Sequence, residues 1–192
     1  MAKKYEFKPD KPHSGFFDKL LLTAQQRRSV LRWSLYCAVL LVLSVVQDVI
    51  LCRWRIFGTT TELVPCGIFL ICLAEGLEKG SVFSLCAACF YQFSGSGAGN
   101  YIIVVIPAIA VIVTMFRQSY LRKGFAATML CSAVAMVVYV LVVFLISLFF
   151  GLTTPGRIGA MLLKALLTII SVPILNPIIN GISKIGGDAW KE

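Results

Sequence analysis

The chain has 192 residues, of which 58% are hydrophobic and only 14% are charged, and its net charge is +9. Soluble domains are about 45–50% apolar and about 25% charged, so a water-soluble protein of this size could not bury so much apolar surface. Composition therefore excludes a soluble domain and indicates an integral membrane protein. The positive charge comes largely from the N-terminal arm, where it favours anionic lipid head groups over nucleic acid as the partner.

Residues 1–29 are predicted to form a basic cytoplasmic arm that contacts anionic lipids. Several apolar residues of this arm fall on one helical face, which is typical of a short amphipathic helix lying in the membrane interface. They are Phe16, Phe17, Leu20, Leu21 and Ala24. The alternative is a disordered extension that precedes the first span.

Six apolar stretches follow, and they predict an all-α bundle of six transmembrane helices in residues 30–192. The stretches cover about 31–51, 63–74, 77–93, 101–116, 125–150 and 158–182. Roughly 20 apolar residues are needed to cross about 30 Å of hydrocarbon, so the second and third stretches are short. Two short or tilted spans are predicted there, with a re-entrant pair as the alternative.

The distribution of Lys and Arg predicts the orientation of the bundle. With six spans both termini lie on one side, and fourteen Lys and Arg residues fall on that side. Three fall on the other side, namely Arg53, Arg55 and Arg157. Because cytoplasmic loops are enriched in these residues, both termini are predicted to be cytoplasmic.

The third stretch carries a stripe of small residues. Four of them recur at every fourth position and share one helical face, and a glutamine continues the register: Gly76, Gly80, Ser84, Ala88 and Gln92. In a membrane, small residues let a second helix approach closely, where dispersion and Cα–H···O contacts stabilise the pair. The stripe therefore predicts a helix–helix seam, with a partner helix from this chain or from another protein.

Other polar residues within or beside the spans have structural and functional interpretations. Gln47, Asn176 and Asn180 are predicted to form hydrogen bonds between helices. Asp48, Glu62 and Glu75 fall near predicted span ends rather than at the bilayer midplane, and Lys164 is expected to extend its amine to the interface.

No pattern in the sequence predicts a catalytic, cofactor or metal site. The only histidine, His13, lies on the basic arm, so a metal ligand or a general base within the membrane has no evident carrier. Cys86 and Cys89 form a C-x-x-C inside an apolar helix without the βαβ context of redox motifs. The seven cysteines are expected to be small, reduced side chains, and the protein is predicted not to be an enzyme.

The stripe belongs to a longer pattern that covers most of the chain. It ends at a Ser/Gly-rich turn, residues 94–100, and Gln47 stands late in the first span. Glu62 opens the second span, and the sixth contains Pro and Asn residues. Over about residues 33–182 this pattern resembles the rod shape-determining protein MreD family of bacteria. It departs from that family where Ser84 and Ala88 replace glycines, and where Gln92 replaces the usual Asp.

The resemblance implies a non-enzymatic, multi-pass component of the cell-elongation machinery in the bacterial plasma membrane. Members associate with the bitopic protein MreC and, through the complex, with the MreB cytoskeleton and the peptidoglycan synthases. By analogy, the small-residue stripe and the Gln92 end of its helix would dock an MreC-like partner.

A second class of protein fits the size and the six predicted spans. The substrate-binding S subunit of an energy-coupling-factor vitamin transporter is also a small six-span protein. Such subunits usually carry an Ala-x-x-x-Ala pair in the first span, whereas Ala38 has Ser34 and Val42 at the two positions four residues away. The scaffold is the preferred interpretation for this reason.

Overall fold

The computed structural model describes residues 24–51, 53, 59, 61–95, 97, 99–121 and 124–185. The predicted interfacial helix of the basic arm, with Phe16 to Leu21, lies outside the described residues. All the elements of the described chain are helical. They are α1 Ala24–Val45, a π-helical turn Val46–Leu51, α2 Leu63–Glu75, α3 Leu77–Phe93, α4 Ile102–Tyr120, α5 Phe125–Phe149, a short 3₁₀ turn Pro155–Arg157 and α6 Ile158–Ser183.

Four of the described helical segments are long and apolar enough to cross a membrane: Gln26–Leu51, Ile102–Tyr120, Phe125–Phe149 and Pro155–Ser183. The other two are shorter. α2 has 13 residues and α3 has 17, which correspond to about 20 Å and about 26 Å at 1.5 Å per residue. The apolar helical architecture is therefore observed, whereas six complete spans and two cytoplasmic termini remain predictions.

The shortest apolar helix, α2, occupies the centre of the bundle. It contacts all five other helices, and twelve of its thirteen residues are buried. A helix that is apolar on every face is stable inside a protein or against lipid, and in this chain neighbouring helices enclose α2. The bundle is thus built around α2. The outer faces of the neighbouring helices form the lipid-facing surface, and they expose large apolar side chains such as Val104, Leu145 and Ile174.

A single residue, Gly76, connects α2 to α3. Its φ of 87° lies in the left-handed region that favours glycine, and its N–H donates to the Cys72 carbonyl at 3.0 Å. The tight turn packs the beginning of α3 directly against the end of α2. Gly76 therefore belongs to the turn and not to the helical stripe in which the sequence placed it.

Candidate functional site: two polar clusters at the ends of the central helix

Both ends of α2 are enclosed by protein, which creates a hydrogen-bonding requirement. The first N–H groups and the last carbonyl groups of a helix have no partner within that helix. In an apolar environment these groups must be satisfied by other parts of the protein. Side chains from α1, α4 and α6 supply the partners, and a buried carboxylate marks each end: Glu62 before the first turn and Glu75 in the last.

The N-terminal end of α2 is satisfied from two directions. The Glu62 N–H donates to Thr168 Oγ1 of α6 at 3.1 Å, and the Val64 N–H donates to Gln47 Oε1 at 3.1 Å. Pro65 occupies the next position and has no N–H to satisfy. The first turn of α2 is thereby attached to the end of α1 and to α6.

Gln47 joins three helices. It is buried in the π-helical turn that continues α1, and its Nε2 donates to the Tyr91 hydroxyl of α3 at 3.4 Å. Together with the bond to Val64, this links the end of α1 to α2 and α3. A π turn locally inserts a residue and redirects the side chains around it. The interhelical role that the sequence suggested for Gln47 matches this geometry.

Lys164 of α6 was expected to extend its amine to the membrane interface. It forms an ion pair with Glu62 instead. The Lys164 side chain remains 20% exposed and the Glu62 side chain 8%. Tyr139 of α5 is fully buried, and its hydroxyl lies near the Glu62 carboxylate. We call this group the Glu62 cluster, and its members are Gln47, Glu62, Tyr91, Tyr139, Lys164 and Thr168.

A second ion pair holds the other end of α2. Arg32 Nη2 of α1 lies 3.2 Å from Glu75 Oε2, with side chains that are only 6% and 0% exposed. The Tyr36 hydroxyl donates to Glu75 Oε1 at 2.8 Å, and Arg117 Nη1 of α4 donates to the Leu73 carbonyl. We call Arg32, Tyr36, Glu75 and Arg117 the Glu75 cluster. Arg32 Nε has no hydrogen-bond partner among the described residues.

The small-residue stripe of α3 packs inside the chain. A Cβ added at Gly80 would lie 3.0 Å from both Cα and the carbonyl oxygen of Cys72, so α2 occupies the close approach. Ser84 and Ala88 are fully buried. The seam predicted from the sequence exists, but it seats this chain's own α2. The idea that the stripe docks a separate protein is therefore corrected, since the face is already covered.

Gln92 closes the turn between α3 and α4. Its Nε2 donates to Asn100 Oδ1 at 3.0 Å, and a Cβ added at Gly97 would clash with its Oε1. The amide thus fills the space left by a glycine in the Ser/Gly-rich turn. This contact assigns Gln92 a local structural role in place of the partner-docking role that the sequence suggested.

Asn176 and Asn180 bond to each other along one helix. Asn180 Nδ2 donates to Asn176 Oδ1 at 2.8 Å, one turn away on α6. Asn176 is almost completely buried, and its Nδ2 has no partner in the described part of the chain. The expected hydrogen bond between helices is thus replaced by an intrahelical one, because residues four apart face each other on one helix.

Apolar grooves mark the outer surface of the bundle. A groove of about 760 Å³ lies between α3 and α4 and includes Val82, Val104 and Pro107. Two smaller grooves of about 260 and 230 Å³ lie between α4 and α5 and between α1 and α3. Within the described residues, no group of three or more His, Cys, Asp or Glu side chains is arranged to hold a metal ion.

Sequence reasoning missed the two ion pairs, although it had the means to find them. Arg32 was counted as part of the free basic charge on the cytoplasmic side, and Glu75 was placed in a turn on that same side. Glu62 opens the second predicted span and Lys164 lies near the start of the sixth, so the six-span order brings them to the same end of the bundle. Matching opposite charges by their predicted depth would have suggested both pairs, since unpaired charges within spans are costly.

Comparisons with known protein families, with curated proteins and with solved structures found no match to this chain. The resemblance to the MreD family thus rests on the sequence pattern alone.

Proposed function

We propose that this protein is a non-enzymatic scaffold of the bacterial cell-elongation machinery, of the MreD type, in the plasma membrane. Its partner would be an MreC-like bitopic protein, and the complex would act with the MreB cytoskeleton and the peptidoglycan synthases. Anionic lipids would bind the basic arm. The sequence pattern over residues 33–182 supports this proposal.

The observation that supports the proposal most directly is that the buried polar residues bond to other helices of the same chain. Gln47, Glu62, Glu75 and Lys164 bond to groups on other helices around α2. Such bonds hold one arrangement of helices and leave an apolar exterior. This is the organisation expected of a protein that acts by presenting a fixed surface to neighbours in the membrane.

A partner helix would have to bind a lipid-facing surface in this proposal, because α2 covers the α3 stripe. Small residues would then contribute indirectly, by maintaining the bundle that presents the surface. Gly80 is the decisive position, since its neighbour is backbone that cannot move without separating α2 from α3. Gly159 in the first turn of α6 is a matched control, with no atom within 4 Å of an added Cβ.

The test is shape rescue and co-purification in a rod-shaped bacterium depleted of its own MreD-like protein. The wild-type chain and Gly159→Leu should restore rods and co-purify the MreC-like protein in mild detergent, whereas Gly80→Leu should do neither. Round cells despite normal amounts of folded wild-type protein would contradict the proposal. A tightly bound vitamin in the purified protein would instead support the transporter alternative.

The orientation has its own test. Reporter enzymes that are active only in the cytoplasm, fused to either terminus, should both be active if six spans place both ends inside. Activity at one terminus alone would show an odd number of crossings, as when α2 and α3 together form a single crossing.

A further inference from the structure

Helix α6 carries two prolines on its outer, lipid-facing side. Pro173 and Pro177 lie in the interior of the helix, and both are exposed. Proline has no N–H, so neither residue can bond the carbonyl four positions earlier in the helix. The carbonyls of Ile169 and Pro173 therefore lack their usual donor. Each of these carbonyls points along the helix axis towards the proline one turn later, so both lie on the outer side of α6.

The two carbonyls lie far from the ends of their helix. Ile169 is the middle residue of Pro155–Ser183, a segment long and apolar enough to cross a membrane, and it is about 21 Å from either end at 1.5 Å per residue. Lipid tails offer no donor, so a backbone carbonyl at this depth requires a partner from protein. Pro107 of α4 differs, because the carbonyl that it frees belongs to Ile103, the second residue of that helix.

The polar side chains of α6 near the two carbonyls are bonded elsewhere. Ser171 Oγ donates to the Thr168 carbonyl at 2.6 Å, and Asn180 Nδ2 donates to Asn176 Oδ1 at 2.8 Å. α6 is an α-helix through both prolines, so no π turn of the kind seen at Val46–Leu51 redirects its hydrogen bonds. Two acceptors thus lie on an otherwise apolar outer face.

We infer that the outer face of α6 around Pro173 and Pro177 docks the membrane-anchoring helix of the bitopic partner, whose Ser or Thr hydroxyls donate to the Ile169 and Pro173 carbonyls. The inference rests on the proposed scaffold function, which requires a docking surface that faces lipid. A hydroxyl supplies one donor, and hydrogen bonds between helices stabilise their association in a membrane. The exposed side chains of Ile170 and Ile174 supply apolar packing surface beside the prolines.

A second copy of the chain is a poorer occupant of this face. Two α6 helices that met through the same face would bring acceptors together without a donor, because the large exposed side chains around the prolines are isoleucines: Ile170, Ile174 and Ile178. Lipid acyl chains lack a donor as well. The competing surface for a partner helix is the groove between α3 and α4, which includes Ile112.

Site-specific photo-crosslinking compares the two surfaces directly. Ile174 of α6 and Ile112 of α4 are both 66% exposed, so they are matched positions for the photoreactive residue benzoylphenylalanine. The full chain is co-expressed with the MreC-like protein, and cross-linked peptides are read by mass spectrometry. Position 174 should cross-link the anchor helix several-fold more than position 112, next to a Ser or Thr. Preferential cross-linking from position 112, or from position 174 to a second copy of this chain, would overturn the inference.

Replacing the prolines tests the role of the carbonyls. With Pro173→Ala and Pro177→Ala combined, α6 can bond both carbonyls itself, so recovery of the partner should fall several-fold. The thermal midpoint should stay unchanged or rise, because alanine favours a helix interior. Pro107→Ala is the control and should retain the partner. Undiminished recovery with the double variant, or equal loss with the control, would overturn the inference. So would a lowered midpoint, since the prolines would then serve the packing of this chain.

Failure of this docking face differs from failure of the proposed function. A wild-type chain that recovers no MreC-like protein would contradict the scaffold function itself. Normal recovery without a cross-link from position 174 would contradict only the docking face on α6.

Discussion

Each end of the buried helix α2 carries a carboxylate whose charge must be neutralised inside the bundle, and different groups neutralise it at the two ends. Each has a buried carboxylate and a basic partner on another helix. At Glu75 the partner is an arginine, a tyrosine adds a direct hydrogen bond, and the pair is sealed. At Glu62 the partner is a lysine that stays partly exposed, and the hydroxyl of the buried Tyr139 lies near the carboxylate.

The difference follows from the chemistry of the two cations. Arginine presents a planar fork of donors and is weakly hydrated, so it suits a sealed pair, whereas lysine is a compact, strongly hydrated charge. A short helix that ends inside a bundle can therefore be fixed by a fully buried ion pair at one end and by a partly exposed ion pair at the other. Substitutions at the two ends should differ in size accordingly.

The largest effect is expected at the sealed end. Arg32→Leu leaves the Glu75 carboxylate buried without its cation, and loss of one partner from a buried pair costs about 3–5 kcal/mol. The free energy of unfolding in mixed detergent micelles measures the loss. Arg28→Leu, one turn earlier and exposed, is the control and should have little effect. Equal values for the two variants would mean that the sealed pair contributes nothing to stability.

Lys164→Met tests the partly exposed end and should have a smaller effect than Arg32→Leu. The Lys164 side chain is partly exposed and other polar groups of the cluster remain near the carboxylate, so we expect a loss of about 1–3 kcal/mol, below the roughly 3–5 kcal/mol of a fully buried pair. The exposed Lys184 provides a control through Lys184→Met. A loss at Lys164 as large as that at Arg32 would show that the two ends are alike.

Gly80→Ala tests the packing of α2 against α3. Its expected loss of stability lies between those of Arg32→Leu and Thr168→Val. The new methyl group would meet Cys72 backbone at 3.0 Å, and overpacking of this kind costs about 1–3 kcal/mol. Gly159→Ala has open space and should be neutral or slightly stabilising, because alanine favours the helix. If Gly80→Ala were also neutral, α2 and α3 would be less closely packed than described.

The smallest effect is expected at the backbone of the first turn. Thr168→Val removes the acceptor of the Glu62 N–H, which should cost about 1 kcal/mol. Thr168→Ser keeps the oxygen and should retain most of the stability. Thermal midpoints of the two variants, compared in one detergent, measure the difference, and equal midpoints would argue against this bond.

The helices themselves could be predicted well from the sequence. The predicted stretches agree with α3, α5 and α6 to within about one residue, because long apolar segments between polar turns leave little choice. α4 continues to Tyr120, four residues past the predicted end. Arg117 suggested an interface at that point, whereas its guanidinium turns inward to the Leu73 carbonyl.

The arrangement of the helices was harder to predict. A small-residue stripe shows that some helix approaches closely, but not that α2 is the one that does. The apolar residues on every face of α2 did not mark it as the central helix, because a span that contacts lipid is apolar in the same way. Ion pairs between residues 43 and 102 positions apart depend on the packing of all six helices, so local patterns alone did not reveal them.

Charged side chains of neighbouring helices fix the ends of the buried α2, and the sealed pair is the clearest place to test this role. A double-mutant cycle with Arg32→Leu, Glu75→Leu and the double variant does so most directly. We expect the double variant to be scarcely less stable than either single variant, so that the coupling energy equals the loss in one single variant, about 3–5 kcal/mol. Additive losses, with no coupling between Arg32 and Glu75, would contradict this role.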